Sequence, residues 1–250
     1  MLIDFSKYSS VKIGSSCEVK IIDEIIQNDY FMIGAASNLL VNNPKNLAIL
    51  GDNFNYIKND RDYLEVGAKT PAYKLFEYSK KNNLGGFEFL CHLPGFMGGI
   101  TKMNAGMKEY EISQFIDSVN VDGKWIKPNF SYRNSDILGT IYKIRLKSSE
   151  IFSNEKLELF KSMRENQPKG ASFGSIFKNP KGFSAGALID KAGLKGKVKG
   201  GAKISEIHAN FLINFNKASF NDAIYLIKLA QDEVLKQFSV NLEPEVIILE

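Results

Sequence analysis

Arginine is scarce in this chain. Of 32 basic residues only Arg61, Arg133, Arg145 and Arg164 are arginines, so planar, two-pronged recognition of a carboxylate or phosphate has few carriers. Cysteine is scarcer: Cys17 and Cys91 allow at most one disulfide and offer no metal-ligand spacing, which predicts a reducing, cytoplasmic setting and no bound metal. No apolar run reaches the roughly 18 residues that a membrane span needs, and the opening MLIDFSKYSS has no basic stretch leading into an apolar one. Neither a membrane nor an export signal is expected. An excess of one charge is missing too. The formal +4 comes from 32 basic against 28 acidic residues spread along the chain, without the basic runs that follow a phosphate backbone, which argues against nucleic acid as a partner.

What is present is a chain of 250 residues, 44% apolar. It is long enough to bury a core in one or two domains, or in three small ones. Early strands are expected at Val19 to Ile22, Tyr30 to Ile33 and Asn46 to Leu50, then at Tyr63 to Val66. Thr70-Pro71 reads as an N-cap followed by proline at the first helical position, opening a helix that Gly85-Gly86 stop. Strands at Ser118 to Val121 and Ile141 to Leu146 precede a polar stretch, Ser148-Ser149-Glu150, read as a linker. Three helices follow, from Leu157 to Asn166, Ala185 to Ala192 and Asn221 to Phe238. The last has a capping-box pattern in Ser219 and Asp222, with Ile224, Ile227, Ala230, Val234 and Phe238 on one face. A strand, Val246 to Leu249, ends the chain. Short strands and helices mixed in this way predict an α+β fold rather than a doubly wound sheet.

Four segments carry more than scaffolding. Gly34-Ala35-Ala36-Ser37-Asn38-Leu39 is a run of small residues at a strand end, where backbone N–H groups can approach a phosphate; an ordinary turn is the other reading, and the G-x-G-x-x-G spacing is missing. Pro94-Gly95-Phe96-Met97-Gly98-Gly99, continuing to Asn104-Ala105-Gly106, is dense enough in glycine for a large planar ligand to touch the main chain, or is a glycine-rich corner. Cys91-His92 just before it is not a catalytic pair, because neighbours in an extended segment point to opposite faces. Tyr132-Arg133-Asn134-Ser135-Asp136 surrounds an arginine with groups able to hold it for a carboxylate; the alternative is a solvent-facing arginine paired with Asp136. Gly174-Ser175-Ile176-Phe177-Lys178-Asn179-Pro180 sets a hydroxyl between a glycine and an apolar pair. His208 is the candidate base for a nucleophilic Ser175, with a structural histidine as the competing reading. Near the end, Glu245 would ordinarily be a solvated edge charge, but Pro244 fixes the chain before it and an apolar run follows, so it is expected to bond inward. Replacing Glu243 is expected to be nearly silent.

Taken in order, the SN turn, LPGFMGG with MNAG, YRNSD, FGSIFKNP, LIDKAGLKG with HANFLIN, and the terminal LEPEV resemble the motifs of the MurB family. The match runs from about Val11 to Ile248, and the spacing, with Ser175 42 positions after Arg133, resembles the short class without an extra tyrosine-bearing loop. The resemblance implies three small domains: residues 1–52 and 53–150 forming an FAD-binding fold of the vanillyl-alcohol-oxidase type, and 151–250 binding substrate. It implies FAD as cofactor, with NADPH and then UDP-N-acetylglucosamine enolpyruvate using one site in turn. Gly34 to Leu39, Pro94, Gly95, Gly98, Gly99, Asn104, Ala105 and Gly106 are the implied cofactor residues. Arg133, Ser175 and Glu245 are the implied catalytic ones. Tyr132, Arg164, Lys178, Asn179 and Lys195 are the implied substrate contacts, and a monomer is expected. Two departures stand out: Ala35-Ala36 where the family usually has a glycine-rich turn, and Ile247 where many relatives carry a basic residue, which shifts the expected phosphate contacts to Arg164 or the lysines around Lys195. The rival readings are another FAD-linked oxidoreductase of this fold, or a catalytically silent nucleotide-sugar binding protein.

Overall fold

The computed structural model describes every residue except Arg61 and Ser149; the middle of the polar stretch read as a linker thus lies outside the described residues. The chain divides into two compact units, one of residue 1, 19–35 and 46–165, the other of 2–18, 36–45 and 166–250.

In the first unit, Val19–Ile22 and Phe31–Met32 each run parallel to Leu47–Leu50. A five-stranded antiparallel sheet follows, in the order Lys124–Ile126, Ile116–Val121, Ile141–Leu146, Leu64–Gly67, Ile57–Asn59. Val119, Ile144 and Val66 face one another across three of its strands. All three are fully buried, an apolar row of β-branched side chains of the kind that fixes register. Helix Ala72–Lys81 lays Leu75 and Phe76 on this core, each burial worth about 2 kcal/mol. Its start departs from expectation. Pro71 is the cap and Thr70 caps nothing, because the buried Thr70 hydroxyl donates to the Tyr56 carbonyl at 2.9 Å and accepts from the Tyr56 N–H at 3.1 Å.

Two further departures follow from the polar groups around residue 150. Helix Asn154–Ser162, expected three residues later, is capped by Ser153, whose side chain accepts from the Lys156 N–H, and it places Leu157 and Phe160 in the first unit's core. The buried Glu88 accepts from the N–H groups of Gly86 at 2.7 Å and Ser153 at 2.8 Å. Ser148 Oγ donates to the Gly85 carbonyl, and the Gly85 N–H to the Glu150 carbonyl. The polarity of this stretch thus serves internal bonds, and the contact division falls near 165.

In the second unit, Leu2–Asp4 pairs antiparallel with Ser16–Glu18, and the chain end, Ile247–Leu249, runs parallel to Leu39–Val41. A three-stranded antiparallel sheet, Val198–Lys199, Ala202–Ile204 and Leu212–Asn214, is covered by helix Phe220–Phe238. The expected capping box is present: Ser219 Oγ accepts from the Asp222 N–H, and Asp222 Oδ2 from the Ser219 N–H. The helix buries Ala223, Leu226, Ile227, Ala230 and Val234, while Ile224 and Phe238 are only partly covered. Separate parallel and antiparallel sheets with helices packed on them make the α+β arrangement expected from the sequence.

Candidate active site

In the first unit Arg133 forms the turn of a tight hairpin between Phe130–Ser131 and Asn134–Ser135. Its φ of 53° is left-handed, a conformation costing a non-glycine residue about 1 kcal/mol or more. Its guanidinium donates to the carbonyls of Asn104 at 3.4 Å and Gly106 at 3.0 Å, lies 3.7 Å from Glu111 Oε1 and sits over the Tyr132 ring. The alternative partner, Asp136, is otherwise engaged: it accepts from the Asn129 main chain and amide. Sequence reasoning missed Glu111, which becomes visible only once Gly106 pairs with it across a short hairpin.

The glycine-rich segment divides by purpose. A Cβ on Gly106 would lie 2.0 Å from the Tyr110 carbonyl oxygen, and one on Gly98 would press the Ala68 Cβ at 3.0 Å, so both serve close packing. At Gly34 and Gly99 a Cβ would meet nothing within 4 Å, so there is room beside the chain there for a flat or phosphate-bearing ligand. These residues therefore fit FAD. Asn104 is fully buried, and its side chain is occupied by Glu111 Oε2 at 2.7 Å, the Ser131 carbonyl and the Ser113 N–H. Pro94 is exposed, Gly95 and Ala105 half-buried; the Gly95 carbonyl accepts from the Ala72 N–H, and the Ala105 N–H donates to the Ile100 carbonyl.

In the second unit three expected pieces come together. The Ile176 carbonyl, one residue past Ser175, accepts from the Glu245 N–H at 2.8 Å, and the Glu245 carbonyl accepts from Asn38 Nδ2 at 2.8 Å. Ser175 bridges to Phe211, and Asn210 clamps Phe177 by both its N–H (3.0 Å) and its carbonyl (2.8 Å). The small-residue turn, the serine and the terminal carboxylate thus share one main-chain framework. Ser175 and Glu245 are half-buried while Glu243 is exposed. Ala36 takes a φ of 47°, a left-handed conformation that favours glycine, and the Ser10 side chain donates to the Ser37 carbonyl. Leu39 is buried on the strand that pairs with Ile247.

The remaining residues have identifiable partners. Lys178 pairs with Glu243 at 2.6 Å, Lys195 with Asp190 at 2.7 Å, and Asn179 accepts from the Ala185 N–H at the start of helix Ala185–Lys191. His208 is structural: Nδ1 accepts from the Asn210 N–H and the ring packs edge-on against Phe211. Burial holds its pKa below the usual 6.5. Cys91 lies in a short 3-10 helix, Glu88–His92, not in an extended segment, so the geometric ground for rejecting a Cys91-His92 pair does not apply. The rejection stands on burial, which raises the thiol pKa and works against the reactive thiolate. Arg164 belongs to the first unit, where its Nε is buried without a hydrogen-bond partner and burial lowers its pKa.

No helix among the described residues is long and apolar enough to cross a membrane. Residues 166–249 match the family model described as UDP-N-acetylenolpyruvoylglucosamine reductase, C-terminal domain. Over the full length of both chains, this one is 48% identical to the UDP-N-acetylenolpyruvoylglucosamine reductase of Campylobacter jejuni. It is 45% identical to that of Helicobacter hepaticus, covering 100% of this chain and 98% of that one. The crystal structure of the reductase (MurB) from Thermus caldophilus superposes with a TM-score of 0.87 at 30% identity, covering 100% of this chain and 98% of the other. The chain therefore belongs to the UDP-N-acetylenolpyruvoylglucosamine reductases, the FAD- and NADPH-using MurB enzymes of peptidoglycan precursor synthesis.

Proposed function

We propose that Ser175 is the proton donor of this reductase and that Arg133 and Glu245 stabilise the charge that its substrate develops. FAD, when bound, supplies a hydride to the terminal carbon of the enolpyruvyl group. Charge then collects on the adjacent carbon and its carboxylate, and the protein must stabilise and quench it. The planar fork of Arg133 matches the carboxylate. A serine hydroxyl is a weak acid, but a carbanionic carbon is a far stronger base, so transfer from Ser175 depends on position more than on a tuned pKa. Glu245, or a water it orients, steadies the same charge. The observation that carries this reading is the hydrogen bond from the Glu245 N–H to the Ile176 carbonyl, which binds the terminal carboxylate's segment to the serine's.

In this reading residues 1–52 and 53–150 serve the cofactor, through the room beside the chain at Gly34 and Gly99, and 151–250 serve the substrate. Tyr132, Arg164, Lys178, Asn179 and Lys195 contact the nucleotide sugar, the two paired lysines exchanging their carboxylates for phosphate. The enzyme acts as a monomer, which light scattering decides.

The test is Ser175→Ala. It should keep bound FAD and its bleaching by NADPH, because only the second stage needs a carbon-bound proton, and lose about 10²–10⁴-fold in turnover of the enolpyruvyl substrate. Equal damage to both stages would make Ser175 a folding or cofactor-site residue. A colourless protein that binds UDP-sugars would favour the silent binding protein instead.

A further inference from the structure

The assignment of Arg133 to the substrate carboxylate leaves open what aims it. Its hairpin is short and its backbone left-handed, so the turn alone does not set the direction of a long, flexible side chain. Glu111 is one of the contacts that do. Gly106 lacks a Cβ, and this lets the chain at Glu111 close in, since any side chain there would collide with Glu111 Cα at 2.7 Å. The pairing of Gly106 with Glu111 brings the carboxylate to the same guanidinium that the Gly106 carbonyl receives. Its two oxygens do different things. Oε2 accepts from Asn104 Nδ2 at 2.7 Å, a firm hydrogen bond. Oε1 lies 3.7 Å from Arg133 NH1, near enough to attract but too far for the two parallel short bonds by which a carboxylate closes an arginine fork. Both side chains are mostly covered, 15% exposed for Arg133 and 22% for Glu111, so the attraction is screened less than at an open surface.

We infer that Glu111 is a positioning residue that holds the Arg133 guanidinium in the orientation needed to receive the substrate carboxylate, without itself occupying the fork. It acts through Asn104 as well: the amide fixed by Glu111 belongs to the residue whose carbonyl accepts from Arg133. The inference rests on the reading of Arg133 as carboxylate anchor.

The experiment is a double-mutant cycle in the FAD-loaded enzyme. Glu111→Ala and Glu111→Gln are each made alone and with Arg133→Ala. Affinity for UDP-N-acetylglucosamine enolpyruvate is read by calorimetry on the oxidised enzyme, and kcat and KM are measured separately. Glu111→Ala should lower kcat/KM by roughly 10²-fold, the scale of a misplaced binding group, and weaken substrate binding. Glu111→Gln, which keeps an acceptor for Asn104, should rescue part of that loss at unchanged flavin content. In the Arg133→Ala background neither substitution should cost anything more. If Glu111→Ala fails to fold, Glu111→Gln carries the same cycle. Equal losses in both backgrounds overturn the positioning role while leaving Arg133 in place. Wild-type affinity and turnover in Arg133→Ala alone overturn the reading of Arg133, and this inference with it.

Discussion

In the first unit Arg133 is held by the carbonyls of Asn104 and Gly106 and by the Glu111 carboxylate, which also fixes the Asn104 side chain. In the second, Ser175 and Glu245 are held by main chain, through the bonds from Ile176 to Asn210 and from Glu245 to Ile176, and by parallel pairing of Ile247 with Leu39. The difference separates two kinds of sensitivity. Where side chains make the geometry, single substitutions misplace the site; where backbone makes it, the functional side chain itself can be changed with the framework intact. Asn38, whose Nδ2 donates to the Glu245 carbonyl, is one exception, and Asn210 is the exception that marks the boundary, a side chain doing the work of backbone.

The largest expected effect on stability tests that exception. Asn210→Ala leaves the buried Phe177 N–H and carbonyl without their side-chain partners, at about 1–3 kcal/mol for each group. Urea unfolding should show a loss of roughly 2–6 kcal/mol, whereas Ser175→Ala should unfold like wild type. A small loss in Asn210→Ala would mean that the backbone ladder suffices alone.

A smaller effect sharpens the same contrast through pH. His208 accepts a hydrogen bond from the Asn210 N–H, and burial keeps its folded pKa below 6.5. The unfolded chain therefore binds a proton first as pH falls. Stability from the neutral ring is complete above about pH 6.5 and declines as pH drops below it toward the folded pKa. Thermal melts between pH 7.5 and 5 should show less acid loss in His208→Asn than in wild type; identical slopes would assign the acid sensitivity elsewhere.

Much of the fold was legible because its signals are local. The capping box of Ser219 and Asp222, the helical period after it, and the strand Ile141–Leu146 all follow from spacing within a few residues. Thr70 was misread because its hydroxyl has a choice, and a partner fourteen residues away in sequence, Tyr56, outcompetes the helix end. The packing of helix Asn154–Ser162 is not legible locally, because its core partners lie far back in the chain. The site divides likewise. Arg133, Ser175 and Glu245 stand in motifs whose order is readable, but Glu111 has no local mark and depends on Gly106 admitting its backbone. The Lys178 to Glu243 pair is equally non-local. It puts a partner on the carboxylate whose replacement is expected to be nearly silent, although a largely exposed pair of this kind contributes little.

That pair makes Glu243 a demanding control for the most direct test of the account, that the framework of the second unit delivers Ser175 and Glu245 together to the substrate. Glu245→Gln and Glu243→Gln remove the same charge two residues apart, one half-buried and bonded beside Ser175, the other exposed. The enzyme is first reduced with NADPH, and stopped-flow absorbance then follows its reoxidation by UDP-N-acetylglucosamine enolpyruvate. The account predicts that Glu245→Gln folds, keeps its flavin and reoxidises slower by orders of magnitude, about the 10²-fold or more that a lost stabilising group costs, while Glu243→Gln stays near wild type. Matched rates near wild type in both variants would contradict it and leave Glu245 an ordinary carboxylate.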